Sequence, residues 1–210
     1  ESYIGELVES DTHSIATLRK KLNITPYYRG IDSKSSYYYS TYDDSDNISP
    51  STNPNKVIVL GSGPIRIGQG IEFDYCSVHC IKALREEGME AIIINSNPET
   101  VSTDFDTANT LYFEPLTLEC VLDVIERENP VGVIVQFGGQ TAINLVTPLK
   151  RAGINILGTD ERDIDRAEDR ELFLKLLNKL DIPTPKGGCA RSSKEALNIA
   201  SSIGYPVIAR

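Results

Sequence analysis

Three long apolar runs, each followed by a polar or glycine-rich turn, constrain the fold of this chain more than any other feature of its sequence. Residues 57–60, 91–94 and 131–135 are apolar at nearly every position. Strands buried on both faces of a parallel sheet have this pattern, whereas half-exposed strands alternate apolar and polar residues. Helix-like segments separate the runs. The sequence therefore predicts an α/β fold, a parallel sheet with helices on both faces.

The remaining elements are predicted from the same patterns. A helix is expected at 12–23, where Ile15, Leu18 and Leu22 recur at helical spacing. Residues 32–55 are rich in Ser, Asp, Asn and Tyr and have no regular period, so we expect a linker or surface arm whose tyrosines pack on something. The other predictions are strands at 57–60, 91–95, 111–113, 131–136, 154–157 and 204–210, and helices at 72–87, 117–128, 140–152, 162–180 and 192–203.

Net charge, hydropathy and cysteine content argue against several classes of protein. A formal net charge of −9 argues against binding to nucleic acid or to an anionic membrane surface. No apolar run approaches the roughly 20 residues that span a bilayer, and the first residues lack a secretory signal, so a cytoplasmic location is expected. The four cysteines are too few for a disulfide framework. The chain begins without methionine and stops within an apolar stretch, so we expect a piece of a larger polypeptide.

Three turns follow predicted strands, at 61–70, 95–100 and 137–141. Ligands of parallel sheets gather at the carboxyl ends of the strands, so these turns are candidate ligand contacts. A strand, a glycine-rich turn and a helix together suit a small anion, although a tight turn chosen only for packing remains an alternative. The candidate residues are Gly61, Gly63, Gly68, Gly138, Gly139, Gln140 and Thr141.

The first turn departs from both common nucleotide motifs. A dinucleotide fingerprint requires a third glycine where this chain has Arg66, and an acid for the ribose where the second strand ends at Asn95. A P-loop requires Lys and Ser or Thr where Gln69 and Gly70 stand. A NAD-binding oxidoreductase domain is therefore the weaker alternative, and Arg66 supplies a cation for a smaller anion.

A cluster of soft ligands raises the possibility of zinc. Cys76, His79 and Cys80 lie within one predicted helix, with the cysteines on one face. A tetrahedral zinc site needs a fourth ligand, and no second cluster provides one. We therefore expect these cysteines to belong to a buried helix face, and no metal site is predicted.

Five segments together are similar to one known family. They are GSGPIRIGQGIEFDYC (61–76), NSNPETVSTDFDTANTLYFEPLTLE (95–119), GVIVQFGGQTAINL (132–145), GTDERDIDRAEDRELF (158–173) and GYPVIAR (204–210). In order and spacing they resemble the large subunits of carbamoyl phosphate synthetases, over about residues 37–210.

The resemblance implies a domain order. Such subunits have two homologous halves, each a Rossmann-like pre-ATP-grasp domain followed by an ATP-grasp domain, and this chain resembles the second half. Residues 1–31 would be the tail of a helical oligomerisation region and 32–55 a linker arm. Residues 56–160 would be the pre-ATP-grasp domain and 161–210 the incomplete start of the ATP-grasp domain. The chain departs from the family at residues 32–36, where a cysteine-containing acidic stretch is usual.

The resemblance also implies an activity: glutamine-dependent synthesis of carbamoyl phosphate, the first step shared by arginine and pyrimidine biosynthesis. The second half would phosphorylate carbamate, using ATP with Mg²⁺ or Mn²⁺ and K⁺. Arg170 and Arg210 would contact the nucleotide phosphates, which suits planar, permanently charged guanidinium groups. The metal ligands and catalytic residues would lie outside this chain, which alone should be inactive. A glutaminase subunit or fused domain, the rest of the large subunit and an oligomer are the implied partners.

Arg66, Glu72 and Glu99 would border the tunnel that brings carbamate to this site. A carbamate anion about 4 Å from a carboxylate is repelled by a few kcal/mol at an effective dielectric constant near 20. Either the migrating species is neutral carbamic acid, or Arg66 offsets Glu72. A non-catalytic binding module of ATP-grasp ancestry is the remaining alternative.

Overall fold

The computed structural model describes residues 1–32, 36–42, 45–64 and 70–209. In this part of the chain, seven strands form one sheet in the order β1-β2-β5-β4-β3-β6-β7. All neighbouring pairs are parallel except β1 and β2. The strands are β1 (Tyr27–Gly30), β2 (Tyr37–Thr41), β3 (Lys56–Leu60), β4 (Glu90–Ile94), β5 (Thr110–Tyr112), β6 (Gly132–Ile134) and β7 (Ile156–Leu157).

Helices connect the parallel strands. Those predicted at 12–23, 72–87, 117–128 and 192–203 are confirmed, whereas each one predicted at 140–152 and 162–180 is a pair of shorter helices. None of the helices described is long and apolar enough to cross a membrane. The helices are α1 (Ser2–Leu7), α2 (Thr12–Lys21), α3 (Glu72–Glu86), α4 (Leu118–Glu128), α5 (Gly139–Ile143), α6 (Val146–Arg151), α7 (Glu161–Glu168), α8 (Arg170–Lys179) and α9 (Ser193–Ile203), with a 3₁₀ helix η1 (Val101–Thr103).

The core lies at the centre of the sheet. Every residue of β3 is buried, and so are the last four residues of β4. Ile81 of α3 packs with Val57, Val59 and Ile93 in one apolar cluster. Because consecutive residues of a strand point to opposite faces, burial along the whole of β3 requires that both faces be covered. The predicted α/β fold is confirmed.

The prediction that residues 32–55 lack regular structure is wrong at β2. This strand pairs parallel with β5 and antiparallel with β1. Four of its five residues are half-buried and Tyr39 is exposed, with Tyr38 edge-on to Tyr112 and Tyr37 stacked on Phe113. A strand half-buried on both faces has no alternation of apolar and polar residues, so the sequence pattern missed it.

A closed polar cluster, defined by Lys56, Tyr112 and Glu128, lies in the core where β3 begins. The Lys56 ammonium donates to Glu128 at 2.8 Å and to the carbonyl of Ser51 at 2.8 Å. The Tyr112 hydroxyl donates to the other oxygen of the Glu128 carboxylate. Burial and the nearby Glu128 charge raise the pKa of Tyr112 well above its usual value. Both oxygens of the buried carboxylate are therefore paired.

The chain divides into two compact units, Glu1–Thr159 and Asp160–Arg210. The second contains α7, α8 and α9. The strand predicted at 204–210 is wrong for residues 204–209, which have no regular structure, and Ile208 is 98% exposed. A strand needs a neighbour to pair its backbone groups, and within the described residues this segment has none. Arg210 lies outside the described residues.

Candidate functional site

The order of strands places the candidate site within the first unit. After β3 the chain adds β4 and β5 on one side, then returns to add β6 and β7 on the other. Such a reversal creates a crevice at the carboxyl ends of the two strands that flank it, here β3 and β6. The turns that follow β3, β4 and β6 therefore meet at one edge of the sheet.

The turns after β3 and β6 touch through their backbones. A Cβ atom at Gly138 would overlap the carbonyl oxygens of Gly61 and Leu60. At Gly61, a Cβ would lie 2.5–2.8 Å from the side chain of Asn95. Only glycine permits contacts this close. The turns after β3 and β6 are thus packed closely against each other at this end of the sheet.

Asn95, directly after β4, is the centre of the hydrogen bonding at this edge. Its Oδ1 accepts the N–H groups of Gly63 at 3.0 Å and Ser96 at 2.9 Å. Its Nδ2 donates to Oγ of Ser102 at 2.9 Å. The side chain is fully buried. The turn after β3 is thereby fixed to the turn after β4, and two N–H groups that could have faced an anion are already paired.

Asp74 connects helix α3 to the same network. It lies in the first turn of α3, where the helix dipole favours a negative charge. Its Oδ2 accepts the N–H of Ser102 at 3.2 Å, and the residue is only 6% exposed. Gly63, Asn95, Ser102 and Asp74 form one continuous chain of hydrogen bonds, which we call the edge network.

The segment between Asn95 and Asp104 is also held by its own side chains. Oδ1 of Asn97 accepts the N–H of Glu99 at 3.0 Å. The Thr103 hydroxyl lies 2.8 Å from the carbonyl oxygen of Asn97 and 2.7 Å from that of Thr100. The backbone at Glu99 is thus fixed while its side chain is exposed.

Several buried polar atoms near this edge have no hydrogen-bond partner among the described residues. They include Oδ1 of Asp74, Oγ of Ser77 and Oε1 of Gln136. Asp74 and Ser77 lie one turn apart on the buried face of α3. Unpaired buried polar atoms are rare in folded proteins and call for an explanation. A fourth such atom, Nε of Arg127, lies beside Tyr112 of the closed polar cluster, so the two regions differ in the pairing of their carboxylates: both oxygens of Glu128 are paired, but only one of Asp74.

The structure brings some of the predicted site residues together. A Cβ at Gly63 would lie 3.9 Å from Cγ2 of Thr141, and one at Gly139 would lie 3.1 Å from the ring of Phe73. Gln140 is exposed and donates to Asn144 at 2.9 Å. The N–H of Gly61 is paired with the carbonyl of Ile94. A ligand role for these residues, with Gly61 and Gly138, stays a prediction.

The predicted tunnel residues lie on the segments that the edge network joins. Glu72 is the first residue of α3, two positions before Asp74, and is exposed. Its carboxylate accepts the N–H of Gly70 at 3.2 Å. Glu99 stands three positions before Ser102. Arg66 and Gly68 lie outside the described residues.

The cysteines of α3 were predicted to lie on a buried helix face, and the structure differs from this prediction. Cys76 is exposed, so that prediction is wrong for this residue. The buried positions of α3 are instead Asp74, Ser77, Val78 and Ile81. Cys80 is half-buried against the apolar core, which raises the pKa of its thiol to about 11. Over the described residues, no group of three or more His, Cys, Asp or Glu side chains could hold a metal ion.

Arg170, predicted to contact phosphate, begins helix α8 in the second unit. The preceding residue, Asp169, caps the helix by accepting the N–H of Leu172 at 2.8 Å. Arg170 itself is exposed. Its partner in the prediction, Arg210, is outside the described residues, so nucleotide binding by the pair stays a prediction.

Sequence reasoning missed Asp74 and Ser102, and treated Asn95 only as a missing acid. One signal was available for Asp74. It precedes Val78 and Ile81 by four and seven positions, so it shares their apolar helix face. A carboxylate on a buried face needs a polar partner, which marks it as a candidate site residue.

Comparison with known families matches two adjoining segments. Residues 53–166 match the model described as the carbamoyl phosphate synthase preATP-grasp domain. Residues 169–210 match the carbamoyl-phosphate synthase L chain, ATP binding domain. The two matches cover most of the chain in one order.

Curated relatives match over the whole chain. A carbamoyl phosphate synthase large chain, C-terminal section, from Methanocaldococcus jannaschii is 56% identical, and this chain covers 36% of it. The large chain from Methanothrix thermoacetophila is also 56% identical, and 21% of it is covered. This chain thus spans about a third of the first relative and a fifth of the second.

Solved structures share the fold at low identity. The biotin carboxylase domain of Hydrogenobacter thermophilus 2-oxoglutarate carboxylase superposes with a TM-score of 0.53 at 23% identity, over 72% of this chain and 33% of that one. N5-carboxyaminoimidazole ribonucleotide synthetase from Thermus thermophilus gives a TM-score of 0.53 at 15% identity, over 71% and 37%. At these identities the likeness concerns the fold alone.

Proposed function

This chain belongs to the carbamoyl phosphate synthase family, and from that premise we propose that it is part of the carbamate-phosphorylating half of the large chain. The whole enzyme would be a glutamine-dependent ligase that forms carbamoyl phosphate at the expense of ATP. The relative described as a C-terminal section, which matches this chain over its full length, supports the assignment to the second half.

The two matched segments support an assignment of residue ranges to domains. Residues 56–160 would be the pre-ATP-grasp domain, and 161–210 the beginning of the ATP-grasp domain. Residues 1–31 would belong to a helical oligomerisation region and 32–55 to the arm that leads out of it. Arg170 and Arg210 would contact the phosphates of ATP, since guanidinium groups pair well with phosphoryl oxygens.

The metal ions of the reaction would be held elsewhere in the enzyme. The described residues offer no cluster of side chains that fits Mg²⁺ or Mn²⁺, so no role here is assigned through the metal. K⁺ is proposed only from the family. A glutaminase subunit or fused glutaminase domain would supply ammonia, and the enzyme would be a cytoplasmic oligomer serving arginine and pyrimidine synthesis.

One observation best supports a passage, rather than a phosphate cradle, at the sheet edge. The N–H groups of Gly61 and Gly63 are paired inside the protein. Close by, a buried carboxylate, Asp74, occupies the first turn of α3. An edge with paired donors and a buried negative charge does not attract a multiply charged phosphate. It suits a small molecule that must pass without being retained.

The charge of the migrating molecule follows from the carboxylates of Glu72 and Glu99. An anion about 4 Å from either would be repelled by a few kcal/mol at an effective dielectric constant near 20. We therefore propose that neutral carbamic acid passes this edge, or that Arg66 offsets Glu72 and lets the anion pass.

Replacement of Glu72 by Gln in the full-length enzyme with its glutaminase tests this role. We expect the amount of carbamoyl phosphate formed per ATP hydrolysed to change by about threefold or more, which corresponds to roughly 0.7 kcal/mol. The assay measures both products with glutamine as the nitrogen source.

Glu86→Gln is the matched control, because Glu86 is an exposed glutamate at the opposite end of the same helix. It should leave the ratio unchanged. If Glu72→Gln also leaves glutamine-dependent synthesis and the coupling of both ATP-consuming steps unchanged, the passage role of Glu72 is lost.

A further inference from the structure

We propose that Asp74 is a positioning residue, which holds the segment carrying Glu99 against the helix carrying Glu72. This inference rests on the proposed passage, since it concerns how the two border carboxylates are kept in place. Asp74 does not face the passing molecule, because it is buried. It acts through the hydrogen bond from the Ser102 N–H to its Oδ2 at 3.2 Å.

The 3₁₀ helix η1 depends on Asp74 for its cap. The first N–H groups of a helix have no partner within it and need an acceptor from outside. The residue at the N-cap position, Thr100, makes no side-chain bond to these groups. The N–H of Ser102 is instead accepted by Asp74, which is 28 residues away in sequence. The cap of η1 is therefore a contact between two segments.

Further hydrogen bonds connect Ser102 to the turns at the sheet edge. The Ser102 hydroxyl accepts Nδ2 of Asn95 at 2.9 Å, and Asn95 in turn accepts the N–H of Gly63. Ser102 and Asn95 are fully buried, so water cannot replace a lost partner without a rearrangement. Loss of the Asp74 acceptor would release the start of η1 from the first turn of α3, and Glu99 stands on the segment that leads into η1.

The two border carboxylates lie close in sequence to the ends of this bond. Glu72 precedes Asp74 by two residues and Glu99 precedes Ser102 by three. Glu99 is further tied to η1 through Asn97 and Thr103. The hydrogen bond between Ser102 and Asp74 therefore joins η1 to the first turn of α3, while Arg85, near the other end of α3, donates to the carbonyls of Asp106 and Thr107.

Only one oxygen of the Asp74 carboxylate is used, because Oδ1 has no partner among the described residues. An asparagine can present its amide oxygen to Ser102 and place its NH₂ where Oδ1 stands. Asp74→Asn should thus keep the cap, whereas Asp74→Ala removes it. Ser77→Ala is the matched control, since Ser77 lies one turn further on the same buried face and has no such bond.

The experiment uses the full-length enzyme with its glutaminase and two measurements. The first is carbamoyl phosphate formed per ATP hydrolysed with glutamine. The second is ATP formed from carbamoyl phosphate and ADP, in which the phosphoryl group moves from carbamoyl phosphate to ADP and carbamate is released. The second reaction delivers no carbamate through the passage, so it reports on the ATP site alone.

We expect Asp74→Ala to lower the carbamoyl phosphate formed per ATP hydrolysed about threefold or more, which corresponds to a change near 0.7 kcal/mol. The rate of ATP formation from carbamoyl phosphate and ADP should stay within about twofold of its original value. Asp74→Asn should restore most of the ratio, and Ser77→Ala should behave like the unmodified enzyme. Equal losses in both measurements, or an Asp74→Asn variant as poor as Asp74→Ala, would overturn the positioning role.

The proposal can fail separately from the passage itself. If Glu72→Gln and Glu99→Gln change the ratio but Asp74→Ala does not, only the positioning role is overturned. If neither glutamate variant nor Asp74→Ala changes it, the passage at this edge is overturned as well.

Discussion

The closed polar cluster where β3 begins and the edge network that follows β4 are both buried, but they are completed differently. In the closed cluster, Lys56 and Tyr112 pair both oxygens of Glu128. In the edge network, Asp74 uses one oxygen and leaves the other without a partner among the described residues. At similar burial, the carboxylate of Glu128 is thus completely paired and that of Asp74 incompletely, although Nε of Arg127, beside Tyr112, also has no partner among the described residues.

The difference indicates what each region is for. A fully paired buried charge stabilises one arrangement, because loss of either partner leaves a charge in the core. A partly paired network sacrifices some stability, and such sites are concentrated where proteins act. Lys56 of the closed cluster lies at the amino end of β3, whereas the edge network lies at the carboxyl ends of the strands, which gather ligands. Tyr112 is the last residue of β5, and its carbonyl accepts the N–H of Asn95.

The sharpest test of the comparison removes the carboxylate of the closed cluster. Glu128→Ala leaves the ammonium of Lys56 buried without its anion, and we expect a loss of about 3–5 kcal/mol in the free energy of unfolding. Urea titration followed by circular dichroism measures it. Glu126→Ala is the control, because its ion pair with Lys20 is exposed and should contribute less than about 1 kcal/mol. Equal effects for both variants would contradict the comparison.

The raised pKa values of two buried tyrosines predict that the free energy of unfolding decreases at alkaline pH. Burial raises the pKa of Tyr112 and Tyr28 above their usual value, with nearby carboxylates adding to the effect. Above about pH 10 the unfolded chain releases these protons while the folded protein keeps them. Stability is therefore fully present below pH 10 and falls as the pH rises further.

Tyr112→Phe should reduce that alkaline loss. It should also cost about 1–2 kcal/mol at neutral pH, because one oxygen of Glu128 loses its donor. Unfolding titrations at pH 7 and pH 10.5 measure both effects. Tyr75→Phe, on an exposed tyrosine, is the control. If the pH dependence is the same in both variants, Tyr112 is not its source.

The smallest effect is expected in the incompletely paired region. Ser77→Ala removes a buried hydroxyl that has no partner among the described residues, so no hydrogen bond is lost. The free energy of unfolding should stay within about 0.5 kcal/mol of its original value, by the same urea titration. A loss above 1 kcal/mol would show that the hydroxyl is paired and would weaken the contrast with the closed cluster.

The sequence pattern predicted the central strands β3 and β4 but missed β2. β3 and β4 are buried on both faces, and that burial leaves continuous apolar runs that are easily recognised. β2 is half-buried on both faces, so its tyrosines and serine have no clear period. The break between α7 and α8 was also missed, although an aspartate at a helix start, here Asp169, is a known capping signal.

The sequence placed Gly61 and Gly138 in turns at the strand ends, as candidate ligand contacts or as residues chosen for tight packing. The structure shows the tight packing, and the ligand role stays a prediction. Asp74 was missed because its partner, Ser102, is distant in sequence and no local pattern connects them. Local patterns report spacing within a helix or a turn, whereas a cap shared between segments exists only after folding.

The pairing of β2 with β5 determines where this domain can be shortened. The family match begins at residue 53, downstream of both β1 and β2. A chain that started there would leave the outer edge of β5 open, with the backbone groups that now pair with Tyr38 and Ser36 free to pair with another molecule. Open strand edges of this kind promote aggregation. A soluble, self-contained sheet therefore needs residues upstream of position 53, where the family match begins.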